Sequence, residues 1–110
     1  MFGLSGKRTA SISMKEAQGE LEQDKSIVLV DVRNTDEYRQ GHIKNSLNVP
    51  LNLVPVLLPQ KVPDKSVRIF VYCLSGARSS QASNWMIQNG YENVTNIGGI
   101  NSWRGPIERG

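Results

Sequence analysis

The sequence has a single cysteine among its 110 residues, and aromatic residues make up only 6% of it. Because one cysteine cannot form an internal disulfide, the fold does not depend on an oxidising compartment. Long hydrophobic runs are also missing, since no segment reaches the roughly 20 apolar residues that a membrane-spanning helix needs. The first residues lack the apolar core of a signal peptide. These absences predict a cytoplasmic protein that has no membrane partner.

Blocks of like charge are absent too, and the net charge of +3 is mild. The sequence therefore gives no support for binding to nucleic acid, although a small positive charge modestly favours small anionic substrates. The length suits one domain with a real core, but not two. We expect residues 1–9, with two glycines and two basic residues, to form a loose N-terminal lead-in, and residues 10–110 to form the domain.

The most informative stretch surrounds the single cysteine. Residues 67–72 form an apolar run rich in β-branched and aromatic side chains, which predicts a buried strand. Small and polar residues follow, among them Gly76, which can adopt backbone angles that other residues avoid. From Ser79 onwards apolar residues are spaced as on one helical face: Ala82, Trp85 and Met86. Cys73 therefore lies where a buried strand gives way to a short loop and a helix.

This position favours the thiolate form of Cys73. The first turn of a helix leaves backbone N–H groups unpaired and carries partial positive charge. A loop whose amides point inward forms an anion cradle, and Arg78 adds a full positive charge. In open α/β sheets, ligands also bind at the carboxyl ends of strands. A buried core cysteine is the ordinary alternative, but the flanking Gly76 and Arg78 favour a reactive one.

The rest of the sequence predicts alternating strands and helices, and hence an α/β sheet built from right-handed βαβ units. The predicted strands are residues 9–12, 26–33, a brief one closed by Pro50, 67–72 and 94–97. Capping residues predict helices after Ser13 and after Asn34, the second ending at Gly41. Residues 51–62 are predicted to form broken helical turns, because two prolines interrupt any long helix.

Several motifs together resemble the rhodanese family of sulfurtransferases over about residues 10 to 104. The loop pattern is Cys73-x-x-Gly76-x-Arg78. The others are Asp31-Val32-Arg33, Glu37-Tyr38, Gly41-His42-Ile43, Asn48-Val49-Pro50, and Gly98-Gly99 followed by Trp103. The sequence departs from the family pattern at Asn45-Ser46, where the family usually has Gly-Ala. The resemblance implies a three-layer α/β/α domain with a five-stranded, mainly parallel sheet. It also implies the spatial strand order third, second, fourth, fifth, first.

The resemblance further implies transfer of sulfane sulfur in two displacement steps. The Cys73 thiolate attacks a small anionic donor such as thiosulfate and becomes a persulfide. It then passes the outer sulfur to cyanide, a thiol or a protein acceptor, so that one difficult step is split into two. Neither a cofactor nor a metal is expected. The predicted substrate-binding residues are those of the loop and the helix start: Leu74, Ser75, Gly76, Ala77, Arg78 and Ser79.

Some candidate roles remain open at this stage. Arg78 either attracts the anionic donor or clamps the loop. Asp31 and Arg33 leave the same sheet edge as Cys73, so they are candidates for a secondary electrostatic role, although a structural network at the end of the strand is the simpler interpretation. His42 is not expected to act as a base, because an amide cradle activates the thiol without one.

Two other functions remain as alternatives. One is a cysteine-dependent phosphatase or arsenate reductase of the related fold, and the other is a noncatalytic sulfur-carrier or binding module. Loop length distinguishes the first, because four residues lie between Cys73 and Arg78, whereas resemblance suggests five in the phosphatases. A phosphoryl group presents three oxygens and needs a wide ring of donors, while a persulfide presents one outer sulfur. The short loop therefore predicts sulfur chemistry.

Overall fold

The computed structural model describes residues 10–110, so the predicted lead-in of residues 1–9 lies outside the described residues. The strands are β1 (Ala10–Ser11), β2 (Val28–Asp31), β3 (His42–Ile43), β4 (Leu47–Asn48), β5 (Arg68–Cys73), β6 (Asn93–Gly99) and β7 (Ile107–Glu108). The α-helices are α1 (Met14–Gln23), α2 (Thr35–Gln40), α3 (Val54–Lys61) and α4 (Ala77–Gln88). Two 3₁₀ turns cover Leu51–Leu53 and Ile100–Ser102.

Five strands form one sheet in the order β1-β6-β5-β2-β4, and every neighbouring pair in it is parallel. The fold class and the strand order predicted from the resemblance are thereby confirmed. The central position of β5 matters for the site, because Cys73 ends this strand and is flanked by β2 on one side and β6 on the other.

Side chains of the sheet alternate between two apolar clusters, one on each face. Val71 and Cys73 of β5 point into the cluster that α3 and α4 cover, which contains Leu58 and Met86. Phe70 and Tyr72 point into the opposite cluster, together with Met14 and Ala17 of α1. Because both faces of the sheet are covered, the sequences of β2 and β5 are almost continuously apolar and do not alternate between apolar and polar residues. The three-layer arrangement follows directly.

Both predicted capping boxes form. The Ser13 hydroxyl accepts a hydrogen bond from the Glu16 amide at 3.1 Å, and the Asn34 side chain accepts one from the Glu37 amide at 2.9 Å. In each box the Glu carboxylate accepts from the cap residue's own N–H in return. Helix α2 ends at Gly41, as predicted. These caps fix where each helix leaves the sheet.

The prediction of broken turns over residues 51–62 is wrong in part. A 3₁₀ turn comes first, but α3 then continues unbroken through Pro59. Pro55 lies in the first turn, where a backbone N–H has no intrahelical partner in any case. Pro59 forgoes a single backbone bond, and the buried side chains of Val54 and Leu58 hold the helix against the sheet.

Further elements differ from the expectation in extent. The segment from His42 to Pro50 contains two strands rather than one, and β3 pairs antiparallel with β7 in a small second sheet that was not predicted. Helix α4 begins at Ala77 rather than at Ser79, and β6 extends to Gly99. Within residues 10–110, none of the helices combines the length and apolar character that crossing a membrane requires.

Candidate active site

Cys73 is the last residue of β5 and is almost fully buried, with 1% of its surface exposed. Three residues of loop separate it from the first residue of α4. The chain therefore turns sharply around the thiol, and the N-terminus of α4 lies next to it. This is the strand–loop–helix arrangement that the sequence predicts.

Hydrogen-bond donors of the loop and of α4 converge on the sulfur. The Gly76 N–H donates to Cys73 Sγ at 3.0 Å, and the Ser79 hydroxyl lies 3.5 Å from it. Burial opposes ionisation and is the largest single effect on the thiol. The Ser79 hydroxyl and the backbone amides of Ser79, Gly76 and Ser75 together outweigh it, so the pKa of Cys73 lies below its ordinary value.

Two glycines give the loop its shape. Gly76 is the N-cap residue of α4 and has a φ of 107°, which side-chain-bearing residues rarely adopt. Gly99 at the end of β6 passes directly under the loop. A Cβ added there would overlap the carbonyl oxygen of Leu74 and lie 2.7 Å from Ser75 Cα. The loop can close around Cys73 only because residue 99 has no side chain.

Asn96 of β6 supports the loop from below, and the sequence analysis missed it. Its Oδ1 lies 2.7 Å from the Ser79 hydroxyl and accepts a hydrogen bond from the Gly98 N–H at 3.0 Å. The same hydroxyl lies 3.0 Å from the Gly76 carbonyl. No local signal singles out Asn96, because the same strand also contains the polar residues Asn93 and Thr95. The network holds the Ser79 oxygen 3.5 Å from the sulfur, where the single proton of the hydroxyl is shared among three acceptors: Asn96 Oδ1, the Gly76 carbonyl and Cys73 Sγ.

The Arg78 side chain, which is 33% exposed, points towards α2. Its Nη1 and Nη2 donate to the two carboxylate oxygens of Glu37 at 2.7 and 3.0 Å. This pair raises the pKa of Arg78 and lowers the pKa of Glu37. The structure thus shows Arg78 in a geometry that ties α4 to α2, while its attraction of an anionic donor stays a prediction.

Asp31 and Arg33 form a buried ion pair at the end of β2, with 2.8 Å between Arg33 Nη2 and Asp31 Oδ2. The same Nη2 donates to the Gly41 carbonyl at 2.7 Å, which fastens the end of α2. Burial is the largest single effect and would lower the pKa of Arg33, but the hydrogen bond to Asp31 and the nearby negative charges together outweigh it, so the pKa is raised. The geometry is that of a structural network, and a secondary electrostatic role remains a prediction.

His42 contacts groups other than the thiol through both of its ring nitrogens. Nδ1 lies 2.8 Å from the Tyr38 carbonyl, Nε2 lies 3.6 Å from Glu108 Oε1, and the ring stacks on Tyr38. The geometry agrees with the expectation that His42 is not a base for Cys73. It fastens β3 to α2 and β7 instead.

A shallow cleft of about 360 Å³ opens beside the loop. Three apolar side chains contribute to it, of which Leu74 is 41% exposed and Ile107 is 43% exposed, and Ile100 is partly buried. Arg33 and Glu37 line it as well, both engaged in the ion pairs described above. The cleft therefore offers apolar surface beside the loop that follows Cys73.

Comparison with known proteins identifies the domain type. The model of the family described as Rhodanese-like domain matches residues 13–106. The chain is 36% identical to the Escherichia coli protein named thiosulfate sulfurtransferase PspE, over 74% of this chain and 78% of that protein. A solved structure described as a rhodanese with anions from E. coli has a TM-score of 0.72 and 34% identity, over 76% of this chain and 99% of that one.

Another relative carries a different name. The chain is 45% identical over 82 residues to the tRNA uridine(34) hydroxylase of Erwinia tasmaniensis. That match covers 70% of this chain but only 23% of the longer protein.

Proposed function

This chain belongs to the rhodanese family, and from that membership we propose that it is a sulfurtransferase acting through a persulfide on Cys73. Sulfane sulfur would move from a donor such as thiosulfate to cyanide, a thiol or a protein acceptor. The observation that carries the proposal is the thiol held at the end of β5, with the Gly76 amide 3.0 Å and the Ser79 hydroxyl 3.5 Å from its sulfur.

In the first step the Cys73 thiolate attacks the outer sulfur of thiosulfate. A bond forms between Cys73 Sγ and that sulfur, while the sulfur–sulfur bond of thiosulfate breaks and sulfite leaves with the bonding electron pair. The lowered pKa of Cys73 supports this step, because thiolate rather than thiol is the nucleophile.

In the second step an acceptor attacks the outer sulfur of the Cys73 persulfide. With cyanide, a carbon–sulfur bond forms, the persulfide bond breaks, and thiocyanate leaves as the Cys73 thiolate is regenerated. With a thiolate acceptor the product is a new persulfide. The donors that favour the Cys73 thiolate also favour negative charge on a persulfide there. We assign this cradle to the residues Leu74, Ser75, Gly76, Ala77 and Ser79.

The relatives support sulfur transfer more directly than other chemistry. PspE and this chain align over most of both proteins. The hydroxylase similarity supports the presence of the domain rather than the reaction, because it covers 23% of that protein. The length of the loop argues against phosphate chemistry. Four residues lie between Cys73 and Arg78, one fewer than in the phosphatase pattern that the resemblance implies.

Replacing Cys73 by serine tests the proposal. Thiosulfate:cyanide turnover should disappear in Cys73→Ser while the far-UV circular dichroism spectrum stays unchanged, since serine differs by one atom and is a poor nucleophile without a base. Wild-type protein should show negligible hydrolysis of aryl phosphates and no arsenate reduction. Turnover that survives in the purified variant would exclude the mechanism. Efficient phosphate hydrolysis by a wild-type protein inert to thiosulfate would replace it with the phosphatase alternative.

A further inference from the structure

The arginine beside the reactive loop, Arg78, forms a bidentate ion pair with a carboxylate. Arg78 and Glu37 share two hydrogen bonds, at 2.7 and 3.0 Å, and their side chains are 33% and 25% exposed. A bidentate pair of this kind is geometrically specific and strong. The positive charge predicted to attract an anionic donor is therefore cancelled at short range.

The positive charge of the second arginine at this edge of the sheet is neutralised in the same way. Arg33 pairs with Asp31, and both side chains are buried. Arg78 and Arg33 thus each form an ion pair with one carboxylate. Together the two ion pairs carry no net charge. The remaining attraction for an anion comes from the amides and the helix N-terminus, which carry only partial charges.

The charge of the donor decides how much this neutrality matters. When the Cys73 thiolate meets thiosulfate, three negative charges come together, and a nearby full positive charge would lower that barrier. With a protonated organic persulfide, RSSH, only the thiolate is charged. The cleft beside the loop provides apolar surface from Leu74, Ile100 and Ile107 for the organic group R.

We propose that Glu37 is a specificity-determining residue that holds Arg78 in a neutral pair and so favours small organic persulfides over dianionic donors. The inference rests on the proposed function and names the substrate class for it. The Cys73 thiolate attacks the outer sulfur of RSSH, the Cys73–sulfur bond forms, the donor's sulfur–sulfur bond breaks, and RS⁻ leaves. The proton stays on the transferred sulfur, and the organic group occupies the cleft.

The variant Glu37→Gln removes the carboxylate charge and one of the two hydrogen bonds from Arg78 while keeping an acceptor for the cap of α2. Glutamine at this position can still accept from the Asn34 N–H and keep the capping box of α2. It loses the negative charge that cancels Arg78. The matched control is Glu16→Gln, because Glu16 closes the same kind of box in α1, where its carboxylate accepts a hydrogen bond from the Ser13 N–H.

The experiment measures kcat/KM for two donors, thiosulfate and the persulfide of 2-mercaptoethanol. Each value is divided by the rate constant for the reaction of the same donor with a free thiol in solution. Wild-type protein should favour the persulfide. Glu37→Gln should raise kcat/KM for thiosulfate about tenfold at low salt, the effect of one unmasked charge on a nearby dianion. This gain should fade as salt is added. The value for the persulfide should rise less than the value for thiosulfate, so that the donor ratio shifts towards thiosulfate, and Glu16→Gln should leave that ratio unchanged.

The outcomes separate the two proposals. A wild-type protein that takes sulfur but prefers thiosulfate after normalisation overturns the inference and leaves the sulfurtransferase function intact. The same holds if Glu37→Gln folds normally and leaves the donor ratio and its salt dependence unchanged. The ratio of the two normalised kcat/KM values in wild-type protein tests the inference even if Glu37→Gln is unstable. A wild-type protein that takes sulfur from neither donor overturns the function itself.

Discussion

At the scale of single residues, the chemistry depends on how a buried thiol is kept ionisable. Burial raises the pKa of a cysteine, and an apolar site such as the cluster containing Val71 and Met86 would leave it inert. Donors from the loop and from the start of α4, among them the Ser79 hydroxyl, reverse that tendency. Asn96 holds this hydroxyl in place from the neighbouring strand.

We therefore predict that the pKa of Cys73 lies below that of a free cysteine. In Ser79→Ala the midpoint should rise, because a hydrogen bond that favours the thiolate is lost. Thiolate absorbance against pH gives both midpoints. Ser80→Ala is the control, since Ser80 is exposed and its backbone N–H bonds to the Gly76 carbonyl. A midpoint unchanged by Ser79→Ala would show that the hydroxyl does not stabilise the thiolate.

What the sequence reveals at this scale depends on the distance along the chain. The position of Cys73 was predictable, because the strand, the loop and the helix start are all local patterns. The pairing of Arg78 with Glu37 was not, since the residues are 41 positions apart and only the fold brings them together. Asn96 likewise contacts a residue 17 positions away. Local patterns carry no record of such contacts.

At the scale of elements, the loop after β5 and the end of β6 are fitted to each other. The backbone of Gly99 lies against Leu74 and Ser75 so closely that no side chain fits between them. The structure places Gly99 in β6 opposite Cys73, so its main role is to admit the loop.

Two glycine substitutions should consequently have opposite effects. Gly99→Ala should lower the free energy of unfolding by about 1–3 kcal/mol, the usual penalty of overpacking, and should abolish most sulfur transfer by displacing the loop. Gly19→Ala should raise stability by about 0.5–1 kcal/mol, because Gly19 lies in α1 with open space around it. Urea denaturation and turnover of both variants check this. A Gly99→Ala protein with normal activity would mean that the loop does not need this close approach.

The helices show a similar division between local and distant information. The capping boxes of α1 and α2 were predictable, since each lies within four consecutive residues. The continuity of α3 was not, because its two prolines argue against a helix locally. Tertiary packing of Leu58 against the sheet overrides that preference.

At the scale of the whole molecule, the strand order brings the functional residues to one edge of the sheet. Strands β2, β5 and β6 are neighbours, so their carboxyl ends deliver Asp31, Cys73 and Gly99 side by side. This order could not be derived from periodicity and followed from the resemblance alone. The small β3–β7 sheet escaped prediction altogether, because two-residue strands leave no periodic signal.

The central claim is that Cys73 itself carries sulfur, and intact mass spectrometry tests it most directly. Wild-type protein incubated with a sulfur donor should gain the mass of one sulfur atom, lose it on addition of cyanide, and yield thiocyanate in equal amount. Cys73→Ser treated identically should keep its original mass, because the chain has no other cysteine. A wild-type protein that gains no sulfur from either thiosulfate or an organic persulfide, or a Cys73→Ser protein that gains it, would contradict the account.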